Sequence, residues 1–329
     1  MQIFEFRSIE KLQNLKNFFL RKDISIDFFQ SFDFIERYLI FNRNDFSIYI
    51  IKDNHQFIIL PLNTIKFKFI KMQGFIGSPH ISEENNLIHN VSKYEDFEAM
   101  LNLFFEKKKI RFFFNNIPNG FLKSYLDKKF DQLNFYSANV VNLQDNDENN
   151  NEIYKKEKKY FDYVLRKFEK DHKFNLNNLI KVDLECSLFE EDYIRKFIKE
   201  NKSDNKNYHK RVIDLWIYMF KCNLAKVNVL KMGDQTLSLI IYTILNKKLF
   251  YLIPCYNKIY KKYSFGRMHL NKLLIHFKKS NFEFFYLGGG NEKYKKNLTN
   301  YNQDLFCYSN SIIVKIYFRL KNAFFNKLT

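Results

Sequence analysis

Tyr294 and Lys295 stand just after three consecutive glycines, Gly288, Gly289 and Gly290, in the stretch FYLGGGNEKYKKNL, and a chain of 329 residues holds only eight glycines in all. A phenol can give up a proton and an ammonium can hold an anion or polarise a carbonyl, so a bare backbone beside them offers either room for a ligand or an ordinary tight turn. Asn291 and Glu292 place an amide and a carboxylate in the same loop. The usual phosphate cradles are excluded by spacing. No Gly-Lys-Ser/Thr follows a first glycine as a P-loop requires, and Lys293 stands where a dinucleotide fingerprint needs its third glycine.

The elements that must hold these residues follow from hydrophobic period. In the second half, 189–200 and 208–223 have helical period, while 226–231, 236–245 and 248–254 read as strands joined at Gly233-Asp234 and Asn246-Lys247. Leu270, Leu273, Leu274 and Phe277 share one helical face, with Ser264 as the expected N-cap and Gly266 leaving the first turn uncrowded. Asn281 ends that helix, and 282–287 is a short aromatic strand that delivers the glycines. The first half repeats this order: a strand near 2–7, helices near 9–20 and 27–38, strands near 46–52, 55–62 and 64–71, a helix over 94–106 and a strand over 110–114. Between the halves, 144–152 is polar and loop-like, and 153–172 reads as a Lys-rich helix.

Composition bounds the partners. Apolar residues make up 46% of the chain, enough for buried cores, and the length suits two domains. A net charge of +18 suits anionic partners, although an A/T-rich genome also raises Lys and Asn. Cys186, Cys222, Cys255 and Cys307 are too widely spaced for a disulfide framework, so reduced thiols and a cytoplasmic location are expected. The first residues alternate like a strand and carry Glu5 and Glu10, unlike a secretory signal, and no apolar run approaches a membrane span. His269 and His276 lie seven apart without a third ligand, so no metal is expected. Trp216 reads as core.

The stretch from Tyr256 to Lys295 resembles the end of the FemAB-like (CelD-like) branch of the GNAT acyltransferases. Tyr256-Asn257, Tyr260, Tyr263-Ser264, Gly266, Gly290-Asn291-Glu292 and Tyr294-Lys295 stand in the places of that family's motifs. A weaker likeness reaches 154–168 and 73–78. The family's Pro is Phe265 here, its Asp before the glycines is Tyr286, and no Trp follows Lys295.

The resemblance implies an α/β fold of the α+β kind, with tandem GNAT-like domains over 1–147 and 148–329, each a mixed, mostly antiparallel sheet flanked by helices. It implies N-acyl transfer from acetyl-CoA or another acyl-CoA to a small amine, an amino sugar for surface polysaccharide being one acceptor class. Gly288, Gly289 and Gly290 would then make room for the thioester arm, and Tyr263, Ser264, Gly266 and Arg267 would hold the diphosphate at a helix start. Lys295, Tyr294 and Asn291 become the catalytic candidates, Lys295 to bind acceptor or phosphate or to polarise the thioester carbonyl, and Tyr294 to protonate the thiolate. Tyr256, Glu292, Ser78 and His80 become the candidates on the acceptor side. Two alternatives stay open: aminoacyl transfer from charged tRNA, and a degenerate pair that only binds. The C-terminal run with Ile313, Ile316 and Leu320 either packs on the body or lies on the inner face of an anionic membrane.

Overall fold

The structure is a computed structural model that describes the chain apart from residues 22–23, 25, 44, 68, 79–83, 146–147, 173–179, 184–190, 202–207, 289–292 and 326–329. The elements up to the middle of the chain are β1 (Gln2–Phe6), α1 (Ile9–Leu12), α2 (Lys16–Phe19), α3 (Phe32–Asn42), β2 (Phe46–Asp53), β3 (Gln56–Phe67), β4 (Ile70–Phe75), β5 (Ile88–His89), α4 (Tyr94–Lys108), β6 (Phe113–Ile117), α5 (Phe121–Lys129) and β7 (Gln132–Asn142). There follow α6 (Glu148–His172), β8 (Ile180–Asp183), α7 (Glu191–Asn201), α8 (Tyr208–Lys221), β9 (Lys226–Met232), β10 (Gln235–Leu245), β11 (Lys248–Tyr256), α9 (Phe265–Lys278), β12 (Phe284–Gly288), α10 (Lys293–Leu298), β13 (Tyr301–Ser309) and α11 (Ile312–Phe325).

The expected helix over 9–20 is broken into α1, a 3-10 turn and α2, yet Leu12, Leu15 and Phe19 still bury one face. The helix expected over 27–38 begins as a 3-10 turn and restarts at Ser31, whose hydroxyl accepts from the Phe34 N–H and caps α3. β3 runs on to Phe67 instead of breaking near 63, because its ladder with β4 continues to Phe67↔Ile70. β6 lies three residues later than expected. Its partner is β13, paired through Phe306↔Ile117 and Tyr308↔Phe114, a strand that the sequence reading did not anticipate.

The chain divides into two compact units, Met1–Ser137 with Gln303–Thr329, and Ala138–Asn302. The division therefore falls before the polar stretch rather than at 147, because β7 runs into the second unit and α6 begins inside that stretch, and the last segment returns to the first unit. In the first unit β1-β2-β3-β4 form an antiparallel sheet, with β5 on β3. Its core is aromatic, with Phe97, Phe104, Phe112 and Phe114 fully buried. In the second unit the strand order is β7-β12-β11-β10-β9-β8, antiparallel except where β11 meets β12. The turn between β10 and β11 takes positive φ at both Asn246 and Lys247, the twist that suits a two-residue hairpin. Leu270, Leu273, Leu274 and Phe277 of α9 bury the expected face against the sheet, and Trp216 is in the core.

Candidate active site

β11 and β12 run parallel, and their pairing is short: Lys248↔Phe284, Leu249↔Phe285 and Phe250↔Tyr286. β11 then continues over 251–256 beside β10, while β12 ends at Gly288. A bulge marks the parting, for Ile241 pairs with Ile253 but Tyr242 with Tyr251, which leaves Leu252 as the extra residue. Pro254, register-paired with Ile240, lies past the last β12 pair, so its missing N–H costs no bond to that strand. Among the described residues the two strands thus stop pairing after Phe250 and Tyr286, while β11 runs on beside β10.

Gly288 closes β12 with φ of 74°, a left-handed value that favours glycine. Its carbonyl accepts from Asn139 Nδ2 at 3.1 Å. The Thr299 hydroxyl donates to the Lys295 carbonyl at 2.8 Å and lies 3.4 Å from Asn139 Oδ1. These bonds tie α10 to the end of β12. Lys295 is only 8% exposed, a costly place for an ammonium without a local reason. Tyr294 is partly buried and packs against the core beneath α9.

α9 begins a short 3-10 turn after the end of β11. Ser264 occupies the N-cap position in the left-handed region, φ 52°, and its side chain makes no capping bond; its carbonyl takes the Arg267 and Met268 N–H groups. A β-carbon at Gly266 would lie 3.2 Å from Tyr256 Cδ1, so glycine there leaves room for the close approach of the Tyr256 ring. The Arg267 guanidinium lies 5.0 Å from the Tyr160 ring centre, and the Tyr160 hydroxyl is 3.5 Å from Ser264 Oγ. Tyr256, Ser264, Gly266 and Arg267 are therefore brought together, with Tyr160 of α6 beside them. That last residue was missed, and the only signal for it was the general likeness of 154–168.

Tyr263 faces elsewhere. It is 1% exposed, packs on Phe168 and Phe265, and donates to Asp171 Oδ2 at 2.6 Å. Burial, and then the Asp171 bond, push its hydroxyl up from the ordinary range, while Asp171 is held low by Tyr263 and Lys262. Its geometry is that of an anchor for α6, not of a group offered to a phosphate. Ser78 belongs to the first unit, buried, and donates to Asn115 Oδ1. His80, Gly289, Gly290, Asn291, Glu292 and Cys186 lie outside the described residues.

His269 is wholly buried. Its Nδ1 lies 3.0 Å from Ser238 Oγ and its Nε2 2.6 Å from the Asn228 amide, while Ser238 Oγ donates to the Cys255 carbonyl at 3.0 Å. Desolvation pushes the imidazole down to about 3, so it stays neutral. The atom facing Nε2 is Asn228 Oδ1, which accepts from the His269 Nε2–H, while the buried Asn228 Nδ2 has no acceptor. The Ser238 bond reaches the last stretch of β11 before Tyr256. Among the described residues Cys222, Cys255 and Cys307 are free thiols, no cluster of three His, Cys, Asp or Glu could hold a metal ion, and no helix is long and apolar enough to cross a membrane.

Residues 156–296 match the family described as acetyltransferase (GNAT) domain. No curated protein matches the sequence. Among solved structures the chain is similar to FemX at 8% identity, covering 94% of this chain and 97% of that one with a TM-score of 0.59. It is similar to L-PGS from Bacillus licheniformis at 11% identity, covering 95% and 96% with a TM-score of 0.55. A conserved protein of unknown function from Bacteroides thetaiotaomicron gives 9% identity, 92% and 97% coverage and a TM-score of 0.55. At such identities the likeness is one of fold.

Proposed function

We propose that this chain, whose residues 156–296 match the acetyltransferase (GNAT) domain family, is an acyltransferase that moves an acyl group from acyl-CoA to an amine. One observation carries this reading: β11 and β12 part after three pairs, at the end of the sheet where α9 begins. The gap offers strand-edge groups to a pantetheine arm, and the helix start with Arg267 offers an anion site to the diphosphate. A neutral amine attacks the thioester carbon, the C–S bond breaks, the amine nitrogen gives up a proton to solvent, and the thiolate takes one. Tyr294 is the assigned proton donor, and Lys295, held near Gly288 through Thr299 and Asn139, polarises the carbonyl. An amino sugar is the acceptor class that the family resemblance implies, and free thiols suit a cytoplasmic enzyme.

Calorimetric titration with acetyl-CoA, beside an Arg267→Glu variant, tests the donor. Binding that the variant weakens at least about tenfold supports it. Absence of binding by the wild type sinks the acyl-CoA reading.

A second reading has its own support. Lys158, Lys159, Arg166, Lys167 and Lys170 make an exposed basic side on α6. A charged tRNA as donor would use that side, and its binding would fall steeply with salt and survive an excess of CoA.

A further inference from the structure

We propose that α11 is an interfacial helix by which this protein docks on an anionic lipid bilayer, a property separate from the acyl-transfer reading. One side of α11 is committed to the first unit: Val314 is fully buried with Ile65, Ile70, Met72 and Phe113, and Tyr317 and Phe318 pack on Phe67. On the opposite side nothing among the described residues buries the helix. Ile312, Ile316 and Leu320, at i, i+4 and i+8, are 72%, 50% and 56% exposed, and Ile313 beside them is 50% exposed. Four large aliphatic residues on one helix side, opposed to a packed side, form a contiguous apolar strip that water disfavours.

The charges choose the occupant. The helix, IIVKIYFRLKNAFF, contains no acidic residue; Arg319 flanks the strip, Lys315 lies further round, and Lys321 sits toward the packed side near Phe318. Arg319 is 77% exposed, and its nearest acidic partner, Asp131, is 3.9 Å away and shared with Lys315. A second copy of this chain fits poorly. A two-fold contact would lay each strip and its bases against the same bases of the partner, on chains that each carry +18. Anionic headgroups meet both needs at once, taking the aliphatic side chains below the headgroup level and the bases at it.

The test is co-sedimentation of the full chain with vesicles of phosphatidylcholine alone and of phosphatidylcholine mixed with phosphatidylglycerol, at low and raised salt. Wild type is expected on the mixed vesicles and released by salt. Ile316→Glu with Leu320→Glu should weaken binding at least about tenfold with an unchanged melting temperature, since both side chains are half exposed. If that pair fails to fold, Arg319→Glu alone should weaken it about tenfold. Equal binding by the variants, or no binding of wild type to either vesicle, overturns the proposal. A wild-type dimer that the glutamate pair dissolves also overturns it and gives the strip to a second copy.

Discussion

Phe250 and Tyr286, the last residues paired between β11 and β12, stack their rings at 4.8 Å with 18° between the planes. Tyr286 stands where the resembling family has Asp, so an aromatic stack occupies the fork of the sheet in place of a carboxylate. Under the acyl-transfer reading, whatever such a carboxylate does for the acceptor must be done here otherwise or not at all.

Tyr286→Asp should not restore a catalytic group. Tyr286 is 7% exposed, and a carboxylate against Phe250 would cost about 3 kcal/mol of stability, read as a lower urea midpoint. A midpoint equal to wild type would show that the stack does not hold the fork.

Gly288→Ala should cost about 1–2 kcal/mol, because φ of 74° strains any β-carbon. Gly288→Asn should cost less, since Asn tolerates the left-handed region. The order of the two melting temperatures is the check, and a reversed order would remove backbone strain as the cause.

Lys295→Met keeps most of the buried stem and removes the charge. Acyl transfer should fall about a hundredfold while the melting temperature holds. Undiminished turnover would take Lys295 out of the chemistry and leave it a structural role only.

His269 gives stability a pH dependence of definite sign. Its folded value, about 3, lies below the unfolded value near 6.5, so the unfolded chain binds the proton more readily. The contribution is complete above pH 6.5 and is lost as pH falls toward 3, on the order of 5 kcal/mol at full extent. Glu5, held at about 2 beside Lys108 and Arg7, loses its contribution in the same direction but only below about pH 4.5. His89, pushed down by burial, adds to the upper window. Denaturation midpoints at pH 7 and pH 5 should therefore converge in His269→Gln relative to wild type. An equal pH drop in both would assign the slope to His89.

Much of the second unit was legible because its signals are local. The strands around 226–256 are bounded by turn residues, and the α9 face repeats at i, i+3, i+4 and i+7. What escaped depends on distant partners. β13 takes its place from β6, nearly two hundred residues away in sequence, and Asn139 matters only because Gly288 and Thr299 come to it in space. Ser264, Gly266 and Arg267 were found by likeness, but the reason for Gly266 is the Tyr256 ring, which no spacing rule reports. Tyr263 shows the opposite failure: a motif residue whose hydroxyl is committed to Asp171.

Pro254 gives the fork a permanence that the glycines alone would not. With Pro254 the β11 margin lacks one N–H, so a strand or stray peptide laid along it finds an incomplete template there. Under the acyl-transfer reading that margin is open to the donor. An incoming arm need not pry strands apart, and its binding energy remains available for aligning the reacting atoms.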